Sequence, residues 1–333
     1  MAGARPRPGH HRSGGRHPHR GGSFPAVTWT ALVLVLISAV AHAGWNFYGK
    51  KSSPSIAFFF LVTLFGFLLF APILALHTEL IAAFDTQILL LLLATGLFQA
   101  VYLSALAAAY QAGEMSIAYP IARSSPLIIV CLTAFALGQR DSISTQAIIG
   151  VALIVGGCLF IPMTRFSDLR WSNYGNRTTA FALLAAFATA GYSIVDDAAT
   201  AQMRELVDPI SARPWADPLQ VSLVYVTLQC LSAALWMSLL IAVVSKERER
   251  LKPLLRHSLV RCIGTAAFMT GAYALVILAM AFASNVSYVV AFRQVSIPLG
   301  VLMAVVGFKE KLYPPKVAGV FTTVCGLVAV ALG

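Results

Sequence analysis

The sequence has very little charge for its size. Only 11% of its 333 residues are charged, whereas a typical soluble domain carries about 25%. Hydrophobic residues make up 58% of the chain and fall in long runs. This combination excludes an ordinary soluble domain and a disordered chain, and it is typical of an integral membrane protein.

Catalytic and metal-binding signatures are also missing. No H-E-x-x-H or comparable motif occurs. The five cysteines show no C-x-x-C spacing, so they are expected to be small core residues rather than metal ligands. We therefore expect no enzyme, no cofactor and no metal site.

The net charge of +11 does not indicate a nucleic-acid-binding protein. Much of it lies in residues 1–26, a basic tail of Gly, Arg, Pro, His and Ser, and most of the remainder lies in short loops. No basic helix interleaved with aromatic residues is present, so no nucleic-acid partner is expected. The tail cannot bury enough apolar surface to fold and is predicted to be disordered.

Ten apolar runs follow the tail, and most are long enough to span a bilayer. A helix of about 20 residues rises roughly 30 Å, the thickness of the hydrocarbon core. Polar and apolar residues do not alternate along the runs, which favours helices over a barrel. The runs are 27–48, 55–76, 87–110, 115–137, 145–162, 178–201, 219–244, 259–283, 286–307 and 314–332.

An internal repeat of about 170 residues relates the two halves of the chain. Arg123 and Arg293 hold matching places in apolar runs. The first helices also match, with Gly44-Trp45-Asn46 set against Gly191-Tyr192-Ser193 at an offset of about 147 residues. Each half has five predicted spans. Because five is an odd number, the second half must cross the membrane in the direction opposite to the first. The sequence thus predicts an all-α membrane protein of ten helices in two inverted five-helix repeats, residues 27–162 and 178–332.

Two glycine pairs strengthen the repeat. Gly150 and Gly157 lie in the last helix of the first half, and Gly319 and Gly326 occupy the corresponding places in the second. Seven residues correspond to two helical turns, so each pair lies on one face. Small residues in such a pattern allow close contact between membrane helices, and we predict tight helix contacts at all four glycines.

Arg123 and Arg293 are the strongest candidates for a functional site. A charge inside a bilayer costs at least a few kcal/mol, so it normally faces a bundle interior or a water-filled cavity. Two guanidinium groups from symmetry-related helices could hold one anionic group by paired hydrogen bonds. The alternative is structural, with each arginine bonded to carbonyls at a helix end or to an acid such as Asp196.

Other polar residues share faces with these arginines. His42, Trp45 and Asn46 lie at helical spacing on the first helix, and Tyr119 lies one turn before Arg123. Asp196 is one of two adjacent acids within a span and could move protons or pair with an arginine. The predicted substrate-binding set is His42, Trp45, Asn46, Tyr119, Arg123, Asp196 and Arg293.

These motifs resemble the drug/metabolite transporter superfamily in its EamA-like branch of two five-helix repeats. The resemblance covers residues 28–332, and Gly138-Gln139-Arg140 departs from it where the family usually has a Gly-Glu pair. The motifs that carry it are His42-Ala43-Gly44-Trp45-Asn46 followed by Lys50; Ser116, Tyr119-Pro120 and Arg123; the Lys309-Glu310-Lys311 turn; and the glycines of the last helix. The resemblance implies transport of small solutes, often export of metabolites or amino acids, and both termini in the cytoplasm. The distribution of Lys and Arg favours the opposite orientation.

The sequence as a whole predicts a multi-pass secondary transporter of the inner (plasma) membrane. Its cargo is expected to be a small metabolite, an amino acid or another anionic or zwitterionic solute, exported by alternating access. We expect transport to be coupled to protons or another ion. We expect the chain to contact membrane lipids and to be a monomer or a homodimer. A flippase for lipid-linked substrates with the same fold, and less favourably a membrane-embedded enzyme, are the alternatives.

Overall fold

A computed structural model describes residues 28–50, 55–112, 122, 144–161, 163–168, 176–207, 216–308 and 311–332. The described elements are helices, in agreement with the predicted all-α class. Their bounds are α1 Trp29–Lys50, α2 Ile56–Phe70, α3 Pro72–Leu76, α4 Thr78–Ala82, α5 Thr86–Ala112, α6 Thr145–Phe160, α7 Arg177–Leu206, α8 Ala216–Val243, α9 Ser245–His257, α10 Leu259–Met280, α11 Val286–Arg293, α12 Ser296–Phe308 and α13 Pro314–Leu332.

Polar caps explain where several of the helices begin. The side chains of Ser55, Asp85, Ser144, Asn176 and Asn285 each accept a backbone N–H from two or three residues later, at 2.8 to 3.1 Å. Such a bond satisfies one of the donors that the first turn of a helix leaves open. The caps stand directly before the apolar runs and so set their starting points.

Two predicted continuous spans are interrupted by proline. The run at 55–76 breaks at Ala71, where Pro72 opens α3. The run at 286–307 divides into α11 and α12 at Gln294 and Val295. Pro298 has no N–H to donate to the carbonyl of Gln294 four residues earlier, and its ring crowds that carbonyl. Ile297 N–H bonds to this oxygen instead, at 2.9 Å, in a tighter turn.

The outer surface of the bundle is apolar enough to require a membrane. In the described part of the chain, six segments are long and apolar enough to cross one: Ile56–Leu76, Thr86–Ala109, Arg177–Leu206, Asp217–Val243, Leu259–Met280 and Val286–Met303. Three shorter apolar helices accompany them: Trp29–Trp45, Thr145–Phe160 and Pro314–Val330. Many large apolar side chains on these helices are exposed, and a surface of this kind indicates a lipid environment. The chain is a multi-pass membrane protein.

Helices of the two predicted halves pack mainly across the halves. Helix α5 lies along α7, and α1 lies along α10. Helix α2 contacts α8, and α6 contacts α13. In the predicted repeat, α1 corresponds to α7, α2 to α8, α5 to α10 and α6 to α13. When each helix is replaced by its counterpart, the α2–α8 and α6–α13 contacts stay the same, and the α5–α7 contact becomes the α1–α10 contact. This is the pattern that a two-fold relation between the halves produces.

The glycine contacts predicted from the sequence are confirmed. A Cβ on Gly150 would lie 2.7 Å from the carbonyl oxygen of Gly326, and one on Gly157 would lie 2.6 Å from that of Gly319. The backbones of α6 and α13 therefore touch where both helices lack side chains. Gly150 of α6 meets Gly326 of α13, and Gly157 meets Gly319, so the two helices run antiparallel.

Adjacent glycines of α6 provide a stability test of this contact. In Gly157→Ala the new methyl would also lie 2.7 Å from Thr323 N, and we expect a loss of about 1–3 kcal/mol from overpacking. In the matched control, Gly156→Ala, the methyl meets nothing within 4 Å. Alanine is there the better helix former by about 1 kcal/mol, so stability should hold or rise. Thermal unfolding in detergent measures both, and equal effects would contradict the close contact.

Candidate functional site

A buried carboxylate connects four helices in the middle of the bundle. Asp196 in α7 has no exposed surface. Its Oδ1 accepts the hydroxyl of Tyr225 at 2.6 Å, and Gln229 Nε2 lies 3.1 and 3.2 Å from the two carboxylate oxygens. Thr95 from α5 and Tyr273 from α10 also donate to it. An ionised carboxylate only accepts hydrogen bonds, and this set of donors suits that form.

Arg293, at the end of α11, is a cation beside this network. Its side chain is buried, and Nη2 donates to the hydroxyl of Tyr192 at 3.3 Å. The guanidinium carbon lies 5.9 Å from the ring centre of Tyr273, within the range of a cation–π contact. Asp196 and Arg293 are joined through Tyr273 and do not form a direct ion pair.

Three tyrosines stand edge to face beside the arginine. The ring centres of Tyr102 and Tyr192 are 5.7 Å apart, and those of Tyr192 and Tyr273 are also 5.7 Å apart. Edge-to-face pairs of this kind add about 0.5–1.5 kcal/mol beyond the burial of their area. The rings come from α5, α7 and α10, so the packing of these helices determines their positions.

A small cavity opens between the tyrosines and α1. Its volume is about 30 Å³, which corresponds to one water molecule. His42 and Trp45 form its α1 wall, where Trp45 Nε1 donates to His42 Nδ1 at 3.0 Å. Within the described part of the chain, the lining is Ser38, His42, Trp45, Gln99, Tyr102, Tyr192, Met269, Ala272, Tyr273, Val276 and Arg293.

Two polar atoms of opposite kind are left without a partner beside this cavity. Arg293 Nε is a donor and Gln99 Oε1 an acceptor; both atoms are buried, and neither has a hydrogen bond to the described part of the chain. A buried polar atom without a partner costs about 1–3 kcal/mol, and more when it belongs to a charged group. Both residues line the same cavity, so a bound molecule there could satisfy both atoms.

The structure brings together three of the residues predicted from the sequence. His42, Trp45 and Arg293 line the cavity, and Asp196 lies behind Tyr273. Asn46 lies within α1, but its side chain is outside the described residues. Tyr119 and Arg123 are also outside them.

Several residues of the site were not predicted, although the sequence contains signals for three of them. Gln99 and Gln229 are amides inside long apolar runs, where a polar group normally faces the interior. Tyr192 is the counterpart of Trp45 at the offset of 147 residues, and both line the cavity. Tyr102 and Tyr273 carry no comparable signal, because tyrosine is also common at membrane interfaces. Among the described residues, no three His, Cys, Asp or Glu side chains are grouped to hold a metal ion.

Comparison with known proteins finds a similarity to one family. Residues 29–163 match the model of the EamA-like transporter family. This part of the chain is similar to a family of membrane transporters of small solutes. The apolar helices of the structure agree with that similarity.

A similarity of fold extends over more of the chain than the family match does. A solved crystal structure, titled only as that of a protein, has a TM-score of 0.63 and 14% sequence identity to this chain. The match covers 91% of this chain and 96% of the other. At this identity the match shows the fold alone. No curated protein matches the chain.

The carboxylate network yields a prediction for the stability of the protein. Tyr225→Phe removes one donor from Asp196 and should cost about 1.5–3 kcal/mol, the usual range for a hydrogen bond to a charged group. In an Asp196→Asn background the same change should cost less, because the acceptor is no longer charged. Thermal unfolding in detergent of the two single variants and the double variant measures this coupling.

Thr227→Val is the matched control on the same helix. Its hydroxyl bonds to the Leu223 carbonyl of its own helix at 2.7 Å and takes no part in the network. This change should alter stability by less than about 1 kcal/mol. Additive effects of Tyr225→Phe and Asp196→Asn would contradict the role assigned to the carboxylate.

Proposed function

We propose that the chain is a secondary transporter that exports a small zwitterionic metabolite of the amino-acid type by alternating access. The observation that carries this proposal is a pair of buried atoms, Arg293 Nε and Gln99 Oε1, that have no hydrogen-bond partner among the described residues and belong to residues lining one cavity. A carboxylate on the solute would accept from the guanidinium, and an ammonium would donate to the amide oxygen. The similarity to the transporter family supports transport of a small solute, and the inner membrane is the proposed location.

The aromatic walls of the cavity support the cationic half of this solute. Tyr102, Tyr192, Tyr273 and Trp45 surround the space beside Arg293. An ammonium is attracted to the faces of such rings, whereas the carboxylate of Asp196 is already occupied by four donors. We therefore assign recognition of the ammonium to Gln99 and the rings. Asp196 is assigned to proton or ion coupling, since Tyr273 connects its carboxylate to the cavity wall.

The architecture that we propose for this transport has ten membrane helices in two inverted halves, residues 27–162 and 178–332. Nine apolar segments lie in the described residues, and the tenth predicted run, 115–137, falls almost wholly outside them. Antiparallel contact between α6 and α13 at matching glycines supports the inversion, as does the exchange of helix partners between the halves. In such folds the solute site lies between the repeats near the midplane, beside interrupted helices, and Arg293 adjoins such an interruption.

The size of the cavity supports alternating access. A space of about 30 Å³ holds a water molecule but no metabolite. Binding therefore requires the helices around the cavity to separate, as expected of a transporter that exposes its site to one side at a time. The interior position of the polar groups favours a small soluble solute over a lipid-linked one, for which a groove open to the bilayer would be needed.

Transport by purified protein in liposomes tests the proposal. A panel of labelled α-amino acids is used for counterflow, together with the corresponding amines and N-acetylated acids as partial analogues. We expect wild type to exchange at least one amino acid and to prefer it to both analogues. Arg293→Leu should abolish exchange, and Arg293→Lys should reduce it at least about tenfold because the planar fork is lost. Arg123→Lys and Arg123→Leu test the second arginine in the same way.

Gln99→Leu separates the two ends of the solute. It should weaken exchange of the amino acid while leaving the N-acetylated acid, which has no ammonium, unchanged. Arg256→Lys, an exposed site on α9, serves as the control, and thermal unfolding of each variant shows whether the protein remains folded. The proposal is wrong if no amino acid exchanges, if the arginine variants transport normally, or if their loss follows entirely from loss of folded protein.

A further inference from the structure

The connection between the predicted apolar runs 219–244 and 259–283 contains α9, a helix of 13 residues between two membrane spans. Since α8 ends at Val243 and α10 begins at Leu259, the helix must lie at the membrane surface. Val243 and Val260, on either side of it, are 82% and 83% exposed, which indicates contact with lipid. Its own apolar residues Leu251 and Leu254 pack against the protein core.

Helix α9 is also strongly basic. Five cations and two glutamates lie within its 13 residues: Lys246, Arg248, Arg250, Lys252, Arg256, Glu247 and Glu249. A basic amphipathic helix at the interface is attracted to anionic lipid, and each Lys or Arg near the surface contributes. Charge of this kind alone would give only diffuse attraction.

A cleft beside α9 concentrates part of this charge. It has a volume of about 640 Å³, within the range of small-molecule sites. Lys246, Arg250 and His257 of α9 line it, together with Ser55 before α2 and Gln111 near the end of α5. Glu249 also lines it and is the one acidic residue in the described part of the lining. Lys252 and Arg256 belong to the same helix but lie outside the lining.

The cleft is held in place by a buried glutamate. Glu247 Oε2 accepts the backbone N–H of Ala57 in the first turn of α2 at 2.8 Å, and its Oε1 accepts Arg250 Nη1 at 2.5 Å. The first bond satisfies a donor that the start of α2 would otherwise leave open. The second orients a guanidinium that is about half exposed and has donors left for another acceptor.

We propose that this cleft binds the headgroup of an anionic phospholipid. Lys246 and Arg250 hold the phosphate as cations and hydrogen-bond donors, and Ser55 and Gln111 offer polar contacts to a glycerol-type headgroup. The exposed valines beside α9 place acyl chains next to the cleft. The occupant is therefore a membrane lipid that remains bound at the rim of the bundle, separate from the solute in the central cavity.

Lipid titration of the full chain in a neutral detergent tests this site. Phosphatidylglycerol should raise the melting temperature and form adducts in native mass spectrometry, whereas phosphatidylcholine should not. Lys246→Gln combined with Arg250→Gln should weaken phosphatidylglycerol binding by about 25-fold, which is about fivefold for each cation. Lys252→Gln combined with Arg256→Gln removes the same charge from the same helix and should leave binding within about twofold of wild type.

Lys246→Gln alone retains the Glu247–Arg250 pair and should weaken binding about fivefold, which tests the site if the double variant does not fold. Inorganic phosphate and glycerol phosphate at equal concentration distinguish a lipid from a free anion. The proposal is overturned if the two double variants weaken binding equally, since that indicates diffuse attraction. It is also overturned if the soluble phosphates compete fully or if phosphatidylcholine binds as well.

Discussion

Helix packing in the centre of the bundle depends on satisfying one buried negative charge. In hydrocarbon every polar group needs a partner within the protein, and an unpaired carboxylate is among the most costly. Asp196 obtains its partners from Thr95 on α5, Tyr225 and Gln229 on α8, and Tyr273 on α10. Together these bonds require three other helices to be in register with α7. Tyr273 also forms part of the cavity wall. The position of Asp196 therefore influences the shape of the space beside Arg293.

The outer frame of the molecule is close to symmetric, but its centre is not. The glycine contacts of α6 and α13 pair each helix with its own counterpart, and the cavity receives Trp45 and Tyr192 from matching places. At the same offset of 147 residues, however, the counterpart of Asp196 is Gly49. Matching places in the sequence therefore supply both of these wall residues, whereas the place that matches Asp196 holds no acid.

The sequence predicts the periodic features of this structure well and its polar pairing poorly. Apolar runs of membrane length, the caps before them and the seven-residue glycine spacing are local patterns, so the helices and the α6–α13 contact could be predicted. Arg293 was found because a charge in an apolar run is conspicuous. Tyr273 was not, since nothing within its own helix indicates that a carboxylate from α7 will lie beside it. The break after Arg293 was missed because proline in a membrane helix does not by itself fix the place of an interruption. Helix α9 was missed because its composition is that of a polar loop.

The interruption next to Arg293 has a mechanical consequence. An intact helix resists bending because its i to i−4 hydrogen bonds must stretch or break. At Gln294 and Pro298 one of these bonds is absent from the outset, and the carbonyl is already satisfied by Ile297 at a shorter spacing. The joint between α11 and α12 can therefore change angle at a lower cost than the uninterrupted helices around it. Because Arg293 is at the end of α11, a hinge at this joint would move its guanidinium relative to α12 while α11 itself remained rigid.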